Sequence, residues 1–153
     1  MSRVDERRHV HGGADRVLRK LYELVRQQRS VTISIDPDLV DELGRVDFST
    51  HTISLAADLT DGEFRSTLTH EIVHLLRGPV PAPRQNLEEL MVERETATIL
   101  IPEVERAGFA RRRRTPAEIS SLAQRYQVDE QLVMDQCLPP HLTEGDWFWF
   151  RET

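Results

Sequence analysis

The sequence predicts an α+β fold, with a small antiparallel sheet packed on helices. Three observations lead to this class. Residues 14–29 carry apolar side chains at helical spacing with charged ones between them, which predicts an amphipathic helix covering a sheet. Residues 31–35, 45–48 and 51–55 alternate apolar and polar side chains, as half-buried strands do. Two later segments begin at Thr60 and Thr115 with a glutamate three residues on, the capping-box spacing of a helix start.

The composition is that of an ordinary globular domain. The chain has 153 residues, 39% hydrophobic and 30% charged. We expect a flexible tail at residues 1–13 and one domain over residues 14–153, with a helical C-terminal region at 114–137. The net charge of −6 argues against nucleic acid as the main partner. With no membrane-length apolar run, no secretory signal and a single cysteine, Cys137, the expectation is a cytoplasmic protein without a membrane partner.

The predicted strands have local boundaries. The first, residues 31–35, ends at Asp36-Pro37 because proline cannot donate a hydrogen bond to a sheet. The second and third, residues 45–48 and 51–55, flank Ser49-Thr50 and are expected to form a hairpin. Together they predict the small antiparallel sheet.

Caps, glycine and proline divide the rest of the chain into helices. Gly78-Pro79 ends the helix that begins after Thr60, and the prolines that follow predict an extended loop. Pro102 ends the next helix, and Asp129 is a candidate cap for the final one. The predicted helices are residues 60–78, 86–101, 103–110, 115–126 and 129–137.

The predicted helix 60–78 carries the sequence His70-Glu71-Ile72-Val73-His74. Two histidines four residues apart lie about 40° apart around a helix, so both imidazoles can reach one metal ion. Glu71 lies about 100° from His70, close enough to act on a water at that metal. This H-E-x-x-H pattern is that of zinc peptidases. We therefore predict His70 and His74 as metal ligands and Glu71 as the catalytic residue; the alternative is a pair of partly buried histidines.

A catalytic zinc needs a third protein ligand, and the helix 86–101 offers carboxylates. Glu89 and Glu93 lie one turn apart on its apolar side, where unpaired carboxylates would be costly to bury. A metal and an imidazole N–H would compensate them, which predicts Glu89 as the third ligand. Glu93 would then accept a hydrogen bond from a ligand histidine in the second shell. The alternatives are a capping box from Asn86 to Glu89 and an ordinary surface or buried-pair role for Glu93.

Both helices resemble those of the ImmA/IrrE-type zinc metallopeptidases, a gluzincin-like family with H-E-x-x-H. The resemblance covers roughly residues 31–137 and implies a zincin-like fold with an H-E-x-x-H active-site helix. It also implies a cytoplasmic metallo-endopeptidase that cleaves a repressor, often one of a phage or mobile element. The matching pieces are residues 68–76, then Glu89-x-x-Val92-Glu93-x-x-Thr96-Ala97-x-x-Leu100-Ile101-Pro102, and Leu122-Ala123-x-x-Tyr126-x-Val128. Val92 and Glu93 stand where the family has a small residue and Asp or Asn.

The functional hypothesis is metal-assisted hydrolysis of a peptide bond in a protein substrate. Zn²⁺, or alternatively another divalent metal, would lower the pKa of a water, and Glu71 would carry its proton to the leaving amine. His51 and Arg77 are weak candidates for an oxyanion donor. The hairpin edge at residues 51–55 is a candidate for binding the substrate as an added strand.

Two other function classes compete with the peptidase. A DNA-binding or regulatory protein would use residues 115–137 as a helix-turn-helix and the arginines 111–114 as phosphate contacts. The acidic second helix fits a DNA groove poorly, and the arginine run is better explained as a solvated or partner-facing linker. The third class is an inactive metal-binding partner protein. The aromatic cluster at residues 147–150 predicts a strand or plug on the core, and the sequence does not predict an oligomeric state.

Overall fold

The computed structural model describes residues 30–109 and 112–137, together with the helical, exposed positions 19, 23 and 27. The expectations for the tail at residues 1–13, for most of the helix 14–29 and for the aromatic cluster at 147–150 lie outside the described residues. Within the described part of the chain, no helix is long and apolar enough to cross a lipid bilayer.

Three strands form a mixed sheet. They are β1 (Thr32–Asp36), β2 (Gly44–Asp47) and β3 (Thr52–Ala56), in the spatial order β1-β3-β2. β2 and β3 form the predicted antiparallel hairpin, whereas β1 runs parallel to β3. The α+β class is confirmed, but the expectation of a wholly antiparallel sheet is wrong for the β1–β3 pair.

Burial explains this arrangement. Ile53 and Leu55 on β3 are fully buried, so β3 takes the centre of the sheet, where both of its edges are paired. Because β3 is antiparallel to β2 and pairs with β1 on its other side, it runs in the same direction as β1. The expectation that residues 51–55 form a free edge is therefore wrong, because β2 is the edge strand of the hairpin.

The described helices follow the sheet, and their ends lie close to the predicted ones. Thr60 and Thr115 each form a complete capping box, with Glu63 and Glu118 respectively, and Asp129 caps the last helix. The helices are α1 (Asp61–Arg77), α2 (Gln85–Leu100), α3 (Glu103–Phe109), α4 (Pro116–Tyr126) and α5 (Glu130–Gln136), with a 3₁₀ turn at Ala82–Arg84 before α2.

Two apolar clusters hold these elements together. The sheet cluster joins β3 to one face of α1 and contains Ile53, Leu55, Leu68, Ile72 and Leu75. The helical cluster joins the end of α2 to α3, α4 and α5 and contains Ala97, Leu100, Ile101, Phe109, Ala123, Val128, Leu132 and Val133. Burial of this apolar surface is the main force that fixes the relative positions of the elements.

Polar contacts fix the start of α5 beside α1. The Arg65 guanidinium, only 6% exposed, donates to the backbone carbonyl of Tyr126 at the end of α4. The Ser66 hydroxyl accepts a hydrogen bond of 2.9 Å from the backbone N–H of Asp129, the cap of α5. As a result, α1 packs against both the sheet and the C-terminal helices.

Candidate metal centre and cleft

Two helices bring three potential metal ligands together. His74 Nε2 lies 2.9 Å from Glu89 Oε1, and His70 Nε2 lies 3.2 Å from Glu89 Oε2. The two Nε2 atoms are 3.1 Å apart. Of the described residues, these three are the group of His, Cys, Asp and Glu side chains that could hold a metal ion. The two histidines come from consecutive turns of α1, and Glu89 comes from the second turn of α2.

The donor spacing fits a zinc ion. Two ligand atoms that each lie roughly 2.0–2.1 Å from a tetrahedral metal are roughly 3.3 Å apart. The two imidazole nitrogens have a separation of 3.1 Å, and each imidazole lies 2.9 or 3.2 Å from a different oxygen of the Glu89 carboxylate. Burial and the neighbouring His74 ring lower the pKa of His70, although Glu89 opposes this effect. A neutral imidazole is the form that binds metal.

The start of α2 removes one alternative for Glu89. The helix begins at Gln85 after Arg84, whose side chain forms no cap hydrogen bond. Asn86 is therefore inside the helix and cannot be the first member of a capping box with Glu89. The Glu89 carboxylate is directed to the two imidazoles instead.

Arg77 and Glu88 join the same two helices behind the candidate ligands. The Arg77 guanidinium donates twice to the Glu88 carboxylate, with 3.0 Å between Nη2 and Oε2. This pairing raises the pKa of Arg77 and lowers that of Glu88. Arg77 is thus already committed to a carboxylate, which disfavours it as an oxyanion donor. His51 occupies the turn before β3 and is not among the described residues that line the cleft.

Glu71 lies beside the ligand group and is 7% exposed. Burial, and then the negative charges of Glu89 and Glu42, raise the pKa of Glu71 to about 8. The edge strand β2 comes unusually near at Gly44. A Cβ atom there would lie 3.0 Å from Glu71 Oε1 and 2.6 Å from Thr67 Cγ2. A larger residue at position 44 would therefore displace Glu71, Thr67 or the strand.

A cavity of about 780 Å³ connects these residues. Its walls are β2, α1, the first turns of α2, and α5. Both candidate histidines, Glu71 and Glu89 line it, so the ligand group faces open space. Arg45 also lines the cavity, but its guanidinium is paired with Glu42. The cavity therefore has a strongly acidic surface.

Glu93 lines this cavity one turn beyond Glu89. Burial, Asp135 and Glu89 raise the pKa of Glu93 to about 7. In the described structure its carboxylate forms no hydrogen bond with His70 or His74. Its role as a second-shell partner of a histidine stays a prediction.

The position of α5 at the cleft was not predicted from the sequence. Asp129, Gln131, Leu132 and Asp135 line the cavity, and Gly44 approaches Glu71 from the opposite wall. Both placements depend on contacts between elements that are distant in the chain, such as the bond from Asp129 to Ser66. The local sequence feature that could have indicated the position of α5 is the acidic character of residues 129–135.

Comparison with known proteins agrees with this architecture. A search of curated proteins finds no match for the chain. Among solved structures, the chain is similar to a Mycobacterium tuberculosis transcriptional regulator, with a TM-score of 0.52 and 21% sequence identity. The structural alignment covers 80% of this chain. At this sequence identity the likeness shows the fold alone. The aligned part is 40% of the regulator's length. The profile of the peptidase M78 family, described as the IrrE N-terminal-like domain, matches residues 26–135. The chain therefore belongs to the IrrE N-terminal-like family, as its two motif-bearing helices predicted.

Proposed function

We propose that the protein is a zinc-dependent endopeptidase that hydrolyses a peptide bond in a protein substrate. The observation that carries this proposal is the convergence of the His70, His74 and Glu89 donor atoms within 4.8 Å of one another, in a cavity that Glu71 also lines. Three protein ligands leave the fourth position of a tetrahedral zinc for water, as catalytic sites require. Membership of the peptidase M78 family supports the same chemistry.

In the proposed reaction, His70, His74 and Glu89 hold Zn²⁺. Zn²⁺ held by these residues would act as a Lewis acid, which would lower the pKa of a water molecule and polarise the substrate carbonyl. Glu71 accepts the proton of the attacking water and delivers it to the leaving amine. Burial raises the pKa of Glu71 to about 8, which by itself would leave the carboxyl mostly protonated at neutral pH. The charge of a bound divalent cation would lower this pKa and restore the ionised form that accepts the proton.

The free edge of β2 is the proposed docking strand for the substrate backbone. In the described sheet, β2 pairs only with β3, so its other edge presents N–H and C=O groups along the cavity. An extended peptide can pair with such an edge. Gly44 brings this edge against Glu71, which would place the scissile bond near the catalytic carboxylate.

For the substrate we propose a transcriptional repressor. Family membership and the similarity to a solved structure named as a transcriptional regulator support a role in gene regulation. DNA binding through α4 and α5 is less well supported. α5 forms a wall of the acidic cavity, where Asp129 and Asp135 would repel phosphates.

The test is cleavage of the repressor encoded beside the protein's own gene. The zinc-loaded full chain should cleave it, and Glu71→Gln should slow cleavage by about 10²–10⁴-fold because the proton acceptor is lost. Glu103→Gln, which removes an exposed carboxylate from α3, should cleave normally. Zinc content, measured by atomic emission, should be equal in all three proteins.

Two outcomes would contradict the proposal. Full activity of Glu71→Gln would remove Glu71 from the mechanism. Stoichiometric zinc without cleavage, either of the repressor or of unfolded protein substrates, would favour an inactive metal-binding partner protein.

A further inference from the structure

Two carboxylates from different helices lie together in the cavity wall beside the candidate metal centre. Glu93 belongs to α2 and Asp135 to α5, and both are partly buried. Burial raises the pKa of each, and the charge of Asp135 raises that of Glu93 further. Asp135 accepts one hydrogen bond of 2.8 Å from the Gln131 amide. In the described structure, no arginine or lysine forms an ion pair with either carboxylate.

The same cavity wall carries a buried hydroxyl without a hydrogen-bond partner. Thr96 lines the same cavity three residues after Glu93 and is 1% exposed. Its Oγ1 atom has no hydrogen-bond partner among the described residues. A buried polar group in this state is costly, and native proteins usually satisfy it with protein, water or a ligand. The hydroxyl is an observation independent of the carboxylate charges, and it indicates that a polar group belongs at this wall.

Other carboxylates of the cavity already have partners. Glu88 is neutralised by Arg77, and Glu42 by Arg45. Glu89 faces the imidazoles, where the proposed metal would bind it. Glu71 has the catalytic role, and Asp129 accepts a hydrogen bond from the Gln131 N–H as the cap of α5. The Glu93–Asp135 pair is therefore the part of the cavity where negative charge is left for an incoming group.

We propose that Glu93, Asp135 and Thr96 form a subsite for a cationic side chain of the bound peptide, an ammonium or a guanidinium. Such a group provides several N–H donors for two carboxylates and a hydroxyl, and it compensates charges that burial otherwise penalises. The inference rests on the proposed function and specifies its substrate: a peptide with lysine or arginine close to the scissile bond. Residues one helical turn apart have Cβ atoms roughly 5–6 Å from each other, so the subsite adjoins Glu89 and its metal.

This proposal gives Glu93 a different role from the one its spacing predicted. A residue that orients a ligand histidine should affect zinc affinity when it is changed. A residue that binds the substrate side chain should affect the choice of ligand and leave zinc affinity unchanged. The two roles can therefore be separated by two measurements on the same variant.

The experiment uses two small probes that bind zinc through a hydroxamate group. Nα-acetyl-lysine hydroxamate and Nα-acetyl-norleucine hydroxamate share this group and differ in the ammonium. Their dissociation constants are measured by calorimetry on the zinc-loaded full chain, above pH 7 so that Glu93 is ionised. We expect the lysine probe to bind about tenfold more tightly, as hydrogen bonds to charged groups allow.

The double variant Glu93→Gln/Asp135→Asn should reduce this preference to about twofold or less, with zinc affinity within about twofold of the unmodified chain. Glu103→Gln, which removes an exposed carboxylate on α3, should keep the full preference. Thr96→Val keeps the shape of the side chain and the charges of both carboxylates. It should weaken binding of the lysine probe by about a few-fold and leave binding of the norleucine probe unchanged. If the double variant does not fold, Thr96→Val alone still tests the subsite.

Equal affinity of the two probes for the unmodified chain would overturn the subsite while leaving the metal centre intact. If the double variant still binds the lysine probe more tightly than the norleucine probe, the subsite is likewise overturned and the metal centre is unaffected. Loss of zinc affinity in Glu93→Gln would return Glu93 to the orienting role. If neither probe binds the zinc-loaded chain, the proposed function fails together with the subsite.

Discussion

The contact between α1 and α2 has two sides that use neighbouring glutamates in different ways. On the metal side, Glu89 reaches the imidazoles of His70 and His74. On the clamp side, Glu88 binds the Arg77 guanidinium through two hydrogen bonds. The two carboxylates are adjacent in sequence and leave the helix about 100° apart.

The difference between the sides lies in the partner. A guanidinium carries a permanent positive charge and a forked set of donors, which Arg77 directs to Glu88 and, over 3.4 Å, to Glu95, so the clamp side supplies its own cation. Neutral imidazoles offer lone pairs and no charge, so the metal side has donor capacity that a cation can use. A glutamate next to histidines is thus a candidate ligand, whereas the same residue next to arginine is a structural contact.

The largest expected effect comes from the metal side. Glu89→Gln removes the anionic ligand, and we expect the zinc dissociation constant to rise by about a hundredfold or more. The measurement is competition with a chromophoric chelator. If Glu89→Gln binds zinc as tightly as the unmodified chain, then Glu89 is not a ligand and the distinction between the two sides is lost.

A smaller effect is expected from the clamp side. Glu88→Gln breaks the charged pair with Arg77 and lets α2 shift relative to α1, so Glu89 is positioned less well. We expect zinc affinity to fall by about tenfold, the size typical of outer contacts at metal sites. The same chelator competition measures it. An effect equal to that of Glu89→Gln would show that the clamp and the ligand act as one unit.

The smallest effect concerns a paired carboxylate far from the cleft. The backbone N–H of Thr115, and then Arg112, lower the pKa of Glu118, so its ionised form stabilises the folded state. This stabilisation is present above the ordinary value of 4.5 and is lost as pH falls through the lower folded value. Glu118→Gln should lower the Tm by about 1–2 °C at neutral pH. Thermal scans should show this difference shrinking below pH 4.5 and disappearing once the pH is below the lowered pKa of Glu118. A difference that stays constant over this whole range would mean that the charge is not its cause.

Local chemistry made much of this molecule predictable. The capping boxes at Thr60 and Thr115 gave correct helix starts, because they depend on residues three positions apart. The angular positions of His70, His74 and Glu89 follow from helix geometry, and the structure brings the three together.

Long-range contacts decided the features that the sequence reasoning missed. The parallel direction of β1 depends on which strand buries the most apolar surface, and alternation within one strand does not report this. The place of α5 in the cleft depends on contacts with α1, more than sixty residues earlier in the chain. Glu93 lines the cavity together with Glu89, but the carboxylate on another helix whose charge raises its pKa is Asp135, which helical periodicity cannot identify.

The attachment of the α4–α5 turn to α1 has a consequence for how the cleft behaves. Gly62 lies so close to the turn that a Cβ atom there would be 2.7 Å from the Val128 carbonyl oxygen, and Ser66 holds the cap of α5 one turn later. The helix that bears the candidate ligands therefore also carries the opposite wall of the cleft. We therefore expect a displacement of α1 to move the candidate ligands and the α5 wall together.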